Sequence, residues 1–379
     1  MTLPHLPTGL LALLSAGLAA CSTPQSSGAP PAGLNAEVAA VMDTFNITGV
    51  GLGRIEDGRL IWTRYYGEQS PGVPVTAETM FNTASMHKAV TAELALRLVD
   101  QGLLDLDESI SAHYVHPDIA DDPRHEALTP RLLLTHQAGF LNWPFNYDDG
   151  QLAFVRDPGT GVYTYSGIGF MIFGRFLERK LGTPFPDLVR TYVYDPIGMD
   201  GASSVQEAWM ADRVAQPTDA EGEPFPDFAL DEGYWNPADD LYVTVEDYAA
   251  FLIDVWQGGG VSPEVRQLRT QVQTPLREDS IWGCDGGAMD PCPEPYGHSI
   301  GWFVFGYGDS LNLQHGGNDR GEAANGYIHL DSGNGLVVLV NGANGLLAWP
   351  EIVDAIDEEQ RFTTTFHYII DKFLTQDSG

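Results

Sequence analysis

Two stretches, Gly49 to Ile55 and Arg59 to Tyr66, alternate between apolar and polar positions on either side of Glu56-Asp57-Gly58. A period of two interrupted by an Asp-Gly turn predicts a β-hairpin. From Ser85 the pattern changes. Ala89-Val90-Thr91-Ala92-Glu93-Leu94-Ala95-Leu96-Arg97-Leu98-Val99 is almost wholly apolar and stops at Gly102, a residue suited to a left-handed helix end, so it predicts a buried central helix. Phe170-Met171-Ile172-Phe173-Gly174-Arg175-Phe176-Leu177 predicts a second apolar helix, and Thr129-Pro130 and Thr244-Val245-Glu246-Asp247 open others. The last third returns to period two, with antiparallel strands expected over Gly301 to Phe305, Leu311 to His315, Gly326 to Leu330 and Gly335 to Val340, and a final helix from near Pro350. The expected fold is therefore α/β (α+β). A sheet domain built from residues 34–107 and 244–379 is interrupted by a mostly helical domain over 108–243. No internal repeat is present.

Composition sets outer bounds. With 379 residues and 43% hydrophobic content, the chain has material for a sizeable core and for two domains. Fifty-two acids against nineteen bases give a net charge of -33, spread along the chain. That balance excludes nucleic acid and anionic membrane surfaces as partners of the protein surface and reads as a solvated acidic coat.

Residues 1–20 contain the apolar run Leu10 to Ala20, too short to span a bilayer, which needs about 20 apolar residues, and better suited to a signal peptide. The usual basic start is missing, since the first Lys or Arg is Arg54. Leu18-Ala19-Ala20-Cys21 resembles the lipobox of bacterial lipoproteins. That resemblance implies lipid on Cys21, a flexible tether over 21–33, and an exported protein in the periplasm or at the cell surface, attached to a membrane only through this lipid. Cys284 and Cys292 then remain as an even pair in a compartment where disulfides persist, and a bond between them is expected. A metal site with His298 is the alternative.

Only three lysines occur, and Lys88 stands three places after Ser85. On a helix that spacing lays the amine beside the hydroxyl, as in Ser-x-x-Lys hydrolases, with the helix amino end ready to receive an oxyanion. A Ser N-cap followed by a solvated Lys would leave the same pattern. Two further motifs follow in order. Tyr163-Thr164-Tyr165-Ser166-Gly167 precedes the second apolar helix, and Gln314-His315-Gly316-Gly317-Asn318 ends a strand.

With these motifs the chain resembles the serine β-lactamase and penicillin-binding superfamily, in the branch of class C β-lactamases, D-stereospecific peptidases and family VIII esterases, whose signatures are Ser-x-x-Lys, Tyr-x-Asn and Lys/His-x-Gly. Pro74 to Phe81, Leu132 to Gly139, Asp195 to Met199 and Tyr296 through Trp302 resemble its connecting segments, so the likeness runs over most of the chain. Gly167 departs from it, standing where the superfamily usually has Asn. The resemblance implies an antiparallel sheet flanked by helices, a helical domain inserted over it, and an active site between them. It also implies roles. Ser85 is the nucleophile, Lys88 activates it and shuttles protons, Tyr165 is the base, and His315 contacts substrate or the Tyr165 hydroxyl. Backbone N–H groups of Ser85 and Asn318 form the oxyanion hole, Gly316 and Gly317 lie along the substrate, and Arg320 meets a substrate carboxylate or forms a loop salt bridge. No metal or cofactor is called for.

Gly297-His298-Ser299-Ile300-Gly301 matches the Gly-x-Ser-x-Gly nucleophile elbow, which needs a strand before it and a helix after it. A Cys/Pro-rich stretch precedes it and Trp302-Phe303-Val304-Phe305 reads as strand, so Ser299 is expected to be a decoy. The expected function is a secreted serine hydrolase that forms an acyl-enzyme on Ser85 from carboxylic esters, amides or peptides. A β-lactamase, or a non-catalytic penicillin-binding or sensor lipoprotein on the same fold, is the alternative.

Overall fold

The computed structural model describes residues 28–276, 283–284, 292–357 and 360–376. Eleven strands are present among these residues: β1 Gly49–Glu56, β2 Arg59–Ser70, β3 Val73–Pro74, β4 Phe81–Asn82, β5 Tyr242–Val243, β6 Thr274–Pro275, β7 Tyr296–His298, β8 Phe303–Tyr307, β9 Ser310–Asp319, β10 Glu322–His329 and β11 Gly335–Asn341. Nine of them form one antiparallel sheet in the order β3-β2-β1-β11-β10-β9-β8-β7-β6, while β4 pairs with β5. The predicted hairpin is present, with Glu56 opposite Arg59 and both Asp57 and Gly58 at positive φ, the conformation a two-residue hairpin turn demands.

The helices are α1 Leu34–Phe45, α2 His87–Asp100, α3 Pro130–Leu134, α4 Gly167–Leu181, α5 Phe185–Val189, α6 Asp195–Ile197, α7 Val245–Gln257, α8 Pro263–Thr270, α9 Gly345–Asp354 and α10 Gln360–Gln376. They cover both faces of the sheet. Along β1, Val50 and Leu52 point into a core shared with α1, α9 and α10, whereas Gly51 and Gly53 face α7. A Cβ on either glycine would come within 2.7 Å of Val245, so the bare positions let α7 lie close on the sheet. The larger core gathers α2, α4 and α7 against that inner face. Residues between the two halves of the sheet are mostly short helices, turns and loops, and Thr129 and Thr244 cap α3 and α7 as their sequences predict.

The C-terminal expectation needs correction. Pro350 does not start a helix; it lies inside α9, which begins five residues earlier, and α10 follows. The amphipathic α1 also carried no marked start signal, since Gly33 precedes it without a side-chain cap. The structure joins Cys284 to Cys292 in a disulfide, with Cα atoms 5.9 Å apart. Cys21 and the signal segment lie outside the described residues. Among the described residues no helix is long and apolar enough to cross a membrane.

Candidate active site

Ser85 occupies a single 3-10 turn, Ala84–Met86, that feeds directly into α2. The turn is strained. Ala84 has φ 46°, a left-handed conformation that costs a residue with a Cβ about 1–3 kcal/mol and persists only where the surroundings enforce it. Those surroundings are visible. The Ala84 N–H donates to Asn82 Oδ1 at 3.0 Å, and the Thr83 N–H and hydroxyl both donate to the Leu241 carbonyl. Asn82 of β4 and Leu241, the residue before β5, thus hold the turn.

One helical turn on, Lys88 is fully buried. Its Nζ donates to Ser85 Oγ at 2.9 Å and to the Ala238 carbonyl at 2.7 Å. It also lies over the rings of Tyr165 and Phe170, 4.9 and 5.8 Å from their centroids, so both its hydrogen bonds and its π contacts fix it on the serine. Tyr165 enters from the segment before α4 and packs against His136, centroids 4.6 Å apart and rings tilted by 32°. Its hydroxyl makes no hydrogen bond to a described residue. Catalytic hydrogen bonds are often long before substrate arrives, so this is no argument against a role in proton transfer.

β9 supplies the opposite wall. It pairs with β8 only as far as Gln314, so the backbone of residues 315–319 is open on that edge. Gly317 explains why the strand can come so near. A Cβ there would stand 2.0 Å from the Thr83 carbonyl oxygen and 2.8 Å from the Ser85 nitrogen. Ser85, Tyr165, His315, Gly316, Gly317 and Asn318 line one cavity of about 340 Å³. Arg320 does not join them. Its guanidinium sits over Phe225 and pairs with Asp227 at 3.8 Å, beside a different cavity, as the loop salt-bridge reading expects.

Three histidines cluster behind the site, His298 lying 4.6 Å from His136 and 6.4 Å from His315 between ring centroids, and of them His315 lines the cavity. Burial pushes His136, His298 and His315 below their ordinary range, His298 to about 3, and the Lys88 charge adds to the effect at each. They are neutral. His315 Nδ1 donates to the Gly316 carbonyl at 2.7 Å, which leaves Nε2 as an unpartnered acceptor. His136 Nδ1 instead accepts from the Ser166 N–H. Burial raises Asp239 and Glu322 well above the usual carboxylate range, and repulsion from Asp319 raises both further, while the Lys88 charge pulls Asp239 back.

Asn142 carried no sequence signal of its own, and His136 lies in the Leu132 to Gly139 segment, which resembles the family without marking that residue for the site. The Cβ position of Gly167 is filled by the Trp143 indole, only 2.4 Å away, which leaves no room for an Asn side chain there. Asn142 Oδ1 instead accepts from the Gly167 N–H at 2.8 Å, and Asn142 lines the cavity. A carboxamide thus reaches the site from a neighbouring segment.

Ser299 is closed off. It is fully buried and its hydroxyl donates to the carbonyls of Arg269 at 2.6 Å and Trp302 at 3.3 Å. A strand, β7, precedes it rather than a loop, but strand β8 and not a helix follows. Nearby, Arg269 and Glu93 form a buried ion pair with both contacts at 2.6 Å, and Trp302 Nε1 donates to the same carboxylate.

Known proteins similar to this chain are numerous. The chain is 26% identical over 291 residues to penicillin-binding protein 4 of Amycolatopsis lactamdurans, covering 72% of this chain and 74% of the relative. It is 28% identical over 174 residues to esterase EstB of Burkholderia gladioli, covering 38% and 43% of the two chains. The D-amino acid amidase of Ochrobactrum anthropi SV3 shares the fold with a TM-score of 0.63 at 19% identity, over 85% of this chain and 98% of that one. The Beta-lactamase family model matches residues 34–359, and the chain belongs to the Beta-lactamase family, in the class C-like branch of the β-lactamase and penicillin-binding superfamily.

Proposed function

We propose that this protein is a serine hydrolase that forms an acyl-enzyme on Ser85 from a carboxylic ester or amide and releases it to water. The observation that carries the reading is the 2.9 Å contact between Lys88 Nζ and Ser85 Oγ in a buried setting, beside a strand edge that only a glycine lets approach. Ser85 Oγ attacks the substrate carbonyl carbon, and its proton passes to the Lys88 and Tyr165 pair. The carbonyl π electrons move to oxygen, which accepts from the backbone N–H groups of Ser85 and Asn318. Collapse of that intermediate breaks the bond to the leaving group, which takes the proton. Water then repeats the attack on the acyl-enzyme, with the same groups moving its proton, and Ser85 is restored. His315, neutral and with Nε2 free, accepts from the Tyr165 hydroxyl or from substrate, and Asn142 offers the carboxamide that Gly167 lacks.

His315 in place of Lys and Gly167 in place of Asn weigh against a dedicated β-lactamase. The relative named as an esterase supports the ester arm of the reading. Lipid on Cys21 would hold the enzyme at a membrane, and Cys21→Ser would then move it from the membrane fraction to the soluble one.

The test is a panel of p-nitrophenyl acetate and butyrate, D-amino-acid amides and nitrocefin on the mature protein, with fluorophosphonate labelling and peptide mapping. Esters or amides should be turned over, and Ser85→Ala should abolish both turnover and labelling. An adduct on the peptide containing Ser299, with activity surviving Ser85→Ala, would require abandoning the assignment.

A further inference from the structure

The cavity at Ser85 does not end at the residues that carry the chemistry. It continues past Gly316 to the outer face of the sheet, where Phe303 and Phe305 form its floor and Trp349 of α9 with Phe366, Ile369 and Ile370 of α10 form its roof. The passage exists because of one residue. Side chains alternate along a strand, so His315 and Gly317 face Ser85 while position 316 faces the helices. Gly316 leaves that position bare. A Cβ on it would stand 3.2 Å from Gln314 Nε2 and 3.3 Å from Asn325 Nδ2, and any larger side chain would occupy the cleft.

Asn325 lies directly across from Gly316 in the β9–β10 register. It is 1% exposed, yet neither Nδ2 nor Oδ1 has a hydrogen-bond partner among the described residues. Buried carboxamides are nearly always paired, and one with both ends free, set among aromatic and aliphatic walls, marks a place where something else supplies the partner. The Asn side chain both donates and accepts, so its complement is a group that does the same.

We propose that this cleft binds one arm of the substrate: an elongated aliphatic chain, running from the scissile carbonyl over Gly316 and beneath α9 and α10, and bearing a single amide or hydroxyl group that pairs with Asn325. The proposal rests on the reading of Ser85 as nucleophile and narrows it from esters and amides in general to those with an extended, mainly apolar acyl or alcohol part.

Two ester series test it, p-nitrophenyl esters from acetate to decanoate and alkyl acetates from ethyl to decyl. In one of them kcat/KM should climb about fourfold for each methylene that enters the cleft and then level off once the cleft is filled. Ile370→Trp, which thickens the roof, should lower the ratio of long-chain to acetyl or ethyl turnover in that series by at least about tenfold. Asn325→Leu should keep the chain-length gain but lose any preference for p-nitrophenyl N-butanoylglycinate or N-propanoyl-β-alaninate over the isosteric heptanoate, a preference the parent should show in one of the two. Hydrolysis with a flat chain-length profile in both series would overturn the cleft and leave the reading of Ser85 intact. If no ester or amide is turned over, that reading fails instead, and calorimetry with octanamide decides the cleft by itself: binding by the parent that is lost in Ile370→Trp keeps it, and no binding overturns it.

Discussion

Replacing Gly317 with alanine is the smallest change that should separate the two walls of the site. The added methyl would stand 2.0 Å from the Thr83 oxygen, where ordinary contact begins near 3.4 Å. The oxygen is backbone and a methyl at Cβ has no rotamer, so nothing local can relieve the clash, and β9 must part from the Ser85 turn by about 1.4 Å, the difference between those two distances. The two walls carry the two N–H groups assigned to the oxyanion, Ser85 on one and Asn318 on the other. Misplacement by about 1 Å costs on the order of 100-fold, and losing one such donor costs about 100- to 1000-fold. Gly317→Ala should therefore lower kcat on a p-nitrophenyl ester by at least about 100-fold, with a much smaller change in KM. Thermal melting controls for collapse of the fold, because the sheet still pairs β9 with β10 on the other side. A folded Gly317→Ala protein within about threefold of the parent in kcat would refute the geometric argument.

Other outcomes follow from the buried charges. His87 is fully buried between the Asn236 carbonyl and the Ser204 hydroxyl, and burial lowers it to about 3. A depressed folded value means its contribution is complete above pH 6.5 and is lost as pH falls toward 3, by about 2 kcal/mol between pH 7 and 5. The difference in urea-derived stability between the parent and His87→Gln should shrink by that amount over this interval; parallel pH profiles would contradict it. Glu93→Gln strands the Arg269 guanidinium in the core and should cost about 3–5 kcal/mol, read as a fall in the denaturation midpoint, with less than about 1 kcal/mol counting against the pair. The net charge of -33 repels itself, and about 1 M KCl shrinks the screening length to about 3 Å, so the melting temperature should rise with salt; a flat or falling value would argue against that.

Much of the sheet is legible in the chain because both its period and its exceptions are local. Gly49-Val50-Gly51-Leu52-Gly53 already shows which face holds side chains and which is bare, and the Asp57-Gly58 turn fixes the hairpin. Ser85 and Lys88 are legible for the same reason, since three residues on a helix set their distance. Arg320 shows the limit of adjacency. It follows Asn318 by two residues, yet the tight turn after β9 carries it to Asp227 and Phe225.

His136 and Asn142 mark a different limit. Nothing around either residue says that it will meet Tyr165 or Gly167, because those contacts exist only after the segment following α3 packs on the start of α4. The same is true of the site's central feature. Ala84 looks like an ordinary helix former, and its left-handed conformation is held by Asn82 just before it and by the Leu241 carbonyl, which reaches Thr83 from far along the chain. Gly317 looks like one more glycine in a strand until Thr83 is seen against it. The residues that do chemistry were chosen by local spacing, whereas the residues that make the chemistry possible are defined by where two distant backbones touch. That is why a motif can point to Ser85 while the strain that presents it, and the gap that admits a substrate, become visible only in the fold.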